Sequence, residues 1–258
     1  MSKQTNISPI KNSTGRSYST AVNNLVVTAL FTVLVGSCFK ASAQPLYNVD
    51  FGGNASVSTK SGYAATGQSS SDYWNFYTRD DGFGGWRTYG AMSNIKLANG
   101  VTTGVGLTVN NAPGFWIGSS ADPMYNKYIY PFGGVATVTL TGLSLGNYDL
   151  YVYGYDGNYN LNVGSTAYGN KTSFDPNFTI PGSPVWQEGV QYVRYGGLTV
   201  NTGDDLSLTV QNGIYGAAVI AGFQLVQVPE PTAFSIVLAV CAVRGFLFLK
   251  NNQSAKIS

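Results

Sequence analysis

Tyr148-Asp-Leu-Tyr-Val-Tyr-Gly-Tyr155, with Val135-Ala-Thr-Val-Thr-Leu-Thr141 ahead of it, alternates residue by residue across a Gly142-to-Asn147 turn region. A period of two sends successive side chains to opposite faces, as a strand with one buried side requires. Both segments are filled with β-branched and aromatic residues, which pack well on a pleated surface. They predict two strands. Working outward, the pattern recurs upstream in Tyr47-Asn-Val-Asp-Phe51, in the aromatic segments 72–77 and 84–89 around Asp80-Asp81-Gly82, and in 93–97 and 106–109 around Asn99-Gly100. An Asn-Gly between alternating segments is a strong hairpin signal. Residues 54–72 read as loop. Downstream, Asp156-Gly157-Asn158 reads as a hairpin turn leading into Tyr159-Asn-Leu-Asn-Val163, followed by strands over 191–195, 198–200, 206–210 and 218–226. About ten short strands with turn signals and no helical period predict an all-β protein, an antiparallel β-sandwich.

The two ends read differently. Residues 1–24 are polar, with Lys3, Lys11 and Arg16 and no acid, and Leu25 to Gly36 is apolar. Ala41-Ser42-Ala43 supplies the small residues of a cleavage site that would release Gln44, so 1–43 reads as a signal peptide. Val35-Gly36-Ser37-Cys38 offers a competing lipidation at Cys38. At the other end, Pro229-Glu230-Pro231 removes two backbone donors and fixes two φ angles, which punctuates the chain. Residues 233–249 are then apolar apart from Ser235, Cys241, Arg244 and Gly245, and Lys250 and Lys256 follow. That run is at the short end for a spanning helix. Arg244 lies towards one end and can snorkel, and the basic residues after the run predict a cytoplasmic C-terminus. The expected domains are thus a leader (1–43), an exported body (44–228) and an anchor segment (229–258).

The order at the C-terminus resembles the PEP-CTERM sorting tail, in which Pro-Glu-Pro precedes a hydrophobic helix and an Arg-rich end. The resemblance covers about the last 30 residues. It carries the sorting motif onto Pro229, Glu230, Pro231 and Arg244, and implies an exosortase-type protease as partner. Here the basic end is thinned, because Arg244 stands alone. Proteins of that kind are linked to the cell surface and the extracellular polysaccharide matrix. The body's Leu143-to-Tyr153 segment, the closing 220–226 strand and Asn48-Val-Asp-Phe-Gly52 resemble galactose-binding-like jelly-roll sandwiches, which implies a structural or weakly carbohydrate-binding module.

Composition removes much of enzymology from the body. The chain carries 14 Lys and Arg against 12 Asp and Glu, yet four basic residues lie in the leader and three in the tail. The body keeps seven basic and eleven acidic residues, so the nucleic-acid reading loses its electrostatic footing. There is no histidine, and the two cysteines, Cys38 and Cys241, both lie outside the body. The commonest ligands of zinc, haem and iron–sulfur sites are therefore missing, as are the His-based triads and dyads. No cofactor is expected.

What remains is aromatic and carboxylate chemistry. Tyr151, Tyr153 and Tyr155 alternate with Leu150 and Val152. If the latter face the core, the tyrosines stand in a row towards solvent or a second layer. With Trp186 they are candidate sugar-binding rings, because each offers a pyranose an apolar face and a polar edge. The bland alternative pairs them across strands with Tyr159. Asp156, Asn158 and Asn160 place oxygens at alternate positions, as calcium loops do, without the glycine and closing glutamate of an EF-hand. Glu188, beside Trp186, is the body's only glutamate. A carbohydrate-active hydrolase or lyase is the alternative function and would need two opposed carboxyls about 5–10 Å apart. A purely structural surface protein is the third.

Overall fold

The computed structural model describes residues 44–52, 58–78, 89–178 and 181–229. Their regular structure is entirely strand: β1 (Leu46–Gly52), β2 (Asn75–Thr78), β3 (Tyr89–Met92), β4 (Gly106–Asn110), β5 (Gly114–Ile117), β6 (Lys127–Tyr130), β7 (Ala136–Thr141), β8 (Gly146–Tyr153), β9 (Asp156–Val163), β10 (Thr166–Phe174), β11 (Tyr192–Val200), β12 (Leu206–Gln211) and β13 (Gly222–Val228). They form a five-stranded sheet in the order β11-β8-β13-β1-β2, a six-stranded sheet in the order β10-β9-β12-β7-β4-β3, and a β5-β6 ribbon. Every neighbouring pair is antiparallel except β1 and β2, which run parallel with Val49 opposite Asn75.

The inner faces follow the alternation. Tyr47, Val49 and Phe51 of β1, Tyr148, Leu150 and Val152 of β8, and Phe223 and Leu225 of β13 meet Val138 and Leu140 of β7, Tyr159, Leu161 and Val163 of β9, and Leu206, Leu208 and Val210 of β12 in one buried cluster. Strands of the six-stranded sheet bury every second residue, as β7 and β12 show. In the five-stranded sheet β1 is buried at all seven positions. Its outer face is covered by the 58–74 loop and the 118–128 segment, whose Trp74, Met124, Tyr125 and Tyr128 form a second cluster with Tyr153, Val219 and Ala221. The molecule is therefore a sandwich with an added layer on one side.

Some sequence expectations need correction. Asp156-Gly157 is no hairpin turn. β8 pairs with β11 and β13, whereas β9 lies in the other sheet, and Asp156 is its first residue. The chain crosses between sheets at Gly154, where a Cβ would come within 2.2 Å of the Tyr159 hydroxyl and 2.7 Å of the Val219 carbonyl. Tyr159 accordingly does not pair with the β8 tyrosines; its hydroxyl donates to the Val219 carbonyl at 2.8 Å. The two segments around 191–200 are one strand, interrupted by a bulge between Tyr195 and Leu198 where Gly197 has φ +69°. Asn99-Gly100 does turn the chain, with the Gly100 N–H donating to the Leu97 carbonyl at 2.8 Å, but only the Lys96–Thr102 bridge flanks it. The leader, Asp80-Asp81-Gly82 and the tail beyond Pro229, with Glu230, Pro231 and Arg244, lie outside the described residues. Among those described, no helix is long and apolar enough to cross a membrane.

Candidate functional site

The expected row of three tyrosines is divided among three environments. Tyr151 is half-buried against Tyr192, with ring centroids 5.8 Å apart and the Arg194 guanidinium 5.7 Å from its own ring. Tyr153 is fully buried beneath the added layer. Its hydroxyl donates to Gln224 Oε1 at 2.5 Å and accepts the Ala65 N–H at 3.0 Å, so no ligand reaches this ring. Burial holds the phenol's pKa well above its ordinary value, which keeps it a donor. Trp186 sits with Tyr153, edge-on at 5.1 Å, and meets Tyr125 at 5.7 Å. It has φ +56°, an uncommon backbone for a bulky residue, and is held there by this aromatic packing.

Tyr155 alone of the four candidates lines an open cavity. Beyond the end of β8 it stacks on Phe178 at 3.9 Å and meets Tyr128 at 5.1 Å. The aromatic chain continues through Tyr130, 5.9 Å from Tyr128, to Phe132, 5.9 Å further on. Phe132 is 76% exposed. The 212–219 loop adds Asn212 and Gly216 to Val219 to the lining of a cavity of about 420 Å³. Every residue lining this groove is uncharged. Burial, and then a hydrogen bond with Tyr155, raise the Tyr128 pKa, so its hydroxyl stays protonated.

Asp156 fastens the loop from below. Its buried carboxylate accepts the Tyr215 N–H at 3.1 Å and the Ala217 N–H at 3.0 Å. Those oxygens are thus committed to backbone donors, and Asn158 and Asn160 lie along β9 on the same face rather than around a loop. Among the described residues no group of three or more His, Cys, Asp or Glu could hold a metal ion. Glu188 is exposed and accepts the Arg194 N–H at 3.3 Å. A second, smaller cavity of about 180 Å³ has a single carboxylate in its lining, Asp175, which accepts from the Tyr125 hydroxyl and Gln191 Nε2, both at 3.1 Å.

The sequence missed Tyr128, Tyr130 and Phe132. The signal was present: Lys127-Tyr-Ile-Tyr130 alternates and runs into Pro131-Phe-Gly-Gly134, but four residues bounded by loop are too short to stand out.

No family model and no curated protein matches the chain. Among solved structures it is similar to the protein YXIM of Bacillus subtilis, with 12% identity and a TM-score of 0.38 over 71% of this chain and 40% of that one. It is also similar to an exo-β-1,3-galactanase of Phanerochaete chrysosporium solved with galactose, with 17% identity and a TM-score of 0.26 over 51% and 32% of the two chains. An isomalto-dextranase of Arthrobacter globiformis complexed with panose matches with 14% identity and a TM-score of 0.25 over 54% and 23%. The chain spans less than half the length of each. All three scores are low, so the sandwich architecture rests on the strand pairing above.

Proposed function

We propose that this protein is an exported, envelope-held β-sandwich that binds extracellular polysaccharide without cleaving it. The observation that carries the binding is the uncharged aromatic groove. Phe132 and Tyr130 offer accessible rings at the mouth of the groove, Tyr155 and Tyr128 continue it inward, and Asn212 offers a polar side chain. A neutral sugar needs that combination, an apolar face to stack on and polar atoms at its rim. The absence of any carboxylate from this lining favours holding over hydrolysis, which would require two. The leader at 1–43 supports export, and the Pro229-Glu230-Pro231 segment with its apolar run and Arg244 supports retention and handling by an exosortase-type protease.

The test is affinity electrophoresis through gels containing neutral polysaccharides. Wild type is retarded, and Tyr130→Ala with Phe132→Ala lowers the apparent affinity about tenfold or more with unchanged thermal unfolding, as expected for loss of two stacking faces. Equal retardation of the double variant, or no retardation of wild type by any glycan, would remove the binding reading.

A further inference from the structure

Beneath the added layer lies a pair of lysines and a pair of aspartates that the groove does not use. Lys60 and Asp122 form an ion pair through Nζ and Oδ2, with side chains only 5% and 11% exposed. The Lys60 ammonium is bracketed by two indoles, 5.7 Å from the Trp74 ring and 5.8 Å from that of Trp186. The other oxygen of Asp122 is held separately: Oδ1 accepts the Met124 N–H at 3.0 Å and the Tyr125 N–H at 3.1 Å. Two convergent backbone donors on one carboxyl oxygen are the arrangement that stabilises negative charge in acyl chemistry. A second carboxyl holds the loop backbone: Asp50 Oδ2 accepts the Lys60 backbone N–H at 2.9 Å and Lys127 Nζ at 3.0 Å. Asp50 is fully buried, and its Oδ1, although 2.9 Å from Lys127 Nζ, lacks a hydrogen-bond partner.

We infer that this cluster is a self-modification site, at which Lys60 Nζ and Asp122 Cγ condense into an intramolecular amide. The ammonium gives up one proton to Asp122 Oδ2, its ion-pair partner, and the freed amine lone pair attacks Cγ. Oδ1 carries the resulting charge between the Met124 and Tyr125 amides. Oδ2 departs as water after receiving two protons, one from the ammonium before attack and one from the attacking nitrogen after it. An ammonium and a carboxylate become one amide and one water, with no oxidant or co-reactant.

Three features favour the step. The indoles exclude water from the nucleophile, and the oxyanion donors are in place before reaction. The product also replaces two desolvated charges with a neutral group, relieving the cost of burying them. The link would join the 58–74 loop to the 118–128 segment, fixing the added layer in a body without cysteine.

Intact mass spectrometry of the purified full chain tests this, with its N-terminus determined independently. The expected mass is lower than that of the sequence by about 18 Da, one water, and digestion yields a branched peptide joining Lys60 to Asp122. Lys60→Arg keeps the positive charge and restores the full mass. Asp122→Asn reacts with loss of about 17 Da, ammonia replacing water as the leaving group. Full mass in wild type with Lys60 open to acetylation after denaturation overturns the proposal, as does a link mapped to Lys127 and Asp50. None of these readouts depends on glycan binding.

Discussion

Tyr153 carries two hydrogen bonds in a dry setting, and its removal has a definite cost. Tyr153→Phe keeps the ring among Trp186 and Tyr192 but leaves the Ala65 N–H without its acceptor. Urea unfolding should show a loss of about 1–3 kcal/mol, the penalty of one orphaned buried group, with glycan binding unaffected. Asp50 gives a residue-scale pH dependence. Its pKa rises from 3.8 to about 6, burial outweighing Lys127. The folded state therefore holds a proton that the unfolded chain has already released, and stability from this group is full below 3.8 and lost as pH climbs through about 6. Wild type should lose on the order of 2–3 kcal/mol relative to Asp50→Asn between pH 4 and 7, measured by denaturant titration at both values. A gain over that interval would contradict the burial argument. Alternation put Tyr153 opposite Leu150 and Val152, and the structure agrees. What alternation cannot say is whether the far face meets water or a covering loop, because the cover comes from residues 58–74 and 118–128, which carry no period.

At the scale of elements, legibility tracked burial. β7, β8 and β12 bury alternate residues against one core and were readable from hydrophobic period alone. β10 is exposed along most of its length and gave no such pattern. It is joined to β9 by the Gly164-Ser165 reversal, with Gly164 at φ +53°. The parallel β1–β2 pairing and the crossing from β8 to β9 are decisions about partners, and partner choice does not appear in a strand's own residues. Gly154 marks that crossing. Gly154→Ala forces a methyl against the Tyr159 hydroxyl and the Val219 carbonyl, one of them backbone. A loss of about 1–3 kcal/mol is expected from overpacking, read as a lower urea midpoint at constant slope. The groove was only partly legible for the same reason: Tyr155 stood out as part of the alternating run, whereas β6 is four residues long.

At the scale of the whole chain, charge is unevenly distributed. The basic balance of the chain belongs to its ends, and the seven basic and eleven acidic residues between them give a mildly acidic domain. If the C-terminal segment holds the protein at the envelope, deleting residues 229–258 should move it into the medium, measured by fractionation and immunoblotting; unchanged partitioning would remove the tail from that role. The pairing of β1 with β13 bears on timing. Leu46 lies opposite Val226, and the Gln227 N–H reaches the Pro45 carbonyl at 2.9 Å. The first strand to be made therefore waits for the last. Until residue 228 has been synthesised, β1 lacks its antiparallel neighbour and the five-stranded sheet has a gap at its centre. Such long-range closure is slow to form. A nascent chain of this protein thus lacks the centre of its five-stranded sheet until residue 228 has been made, and closes that sheet only after β13 is free to enter it.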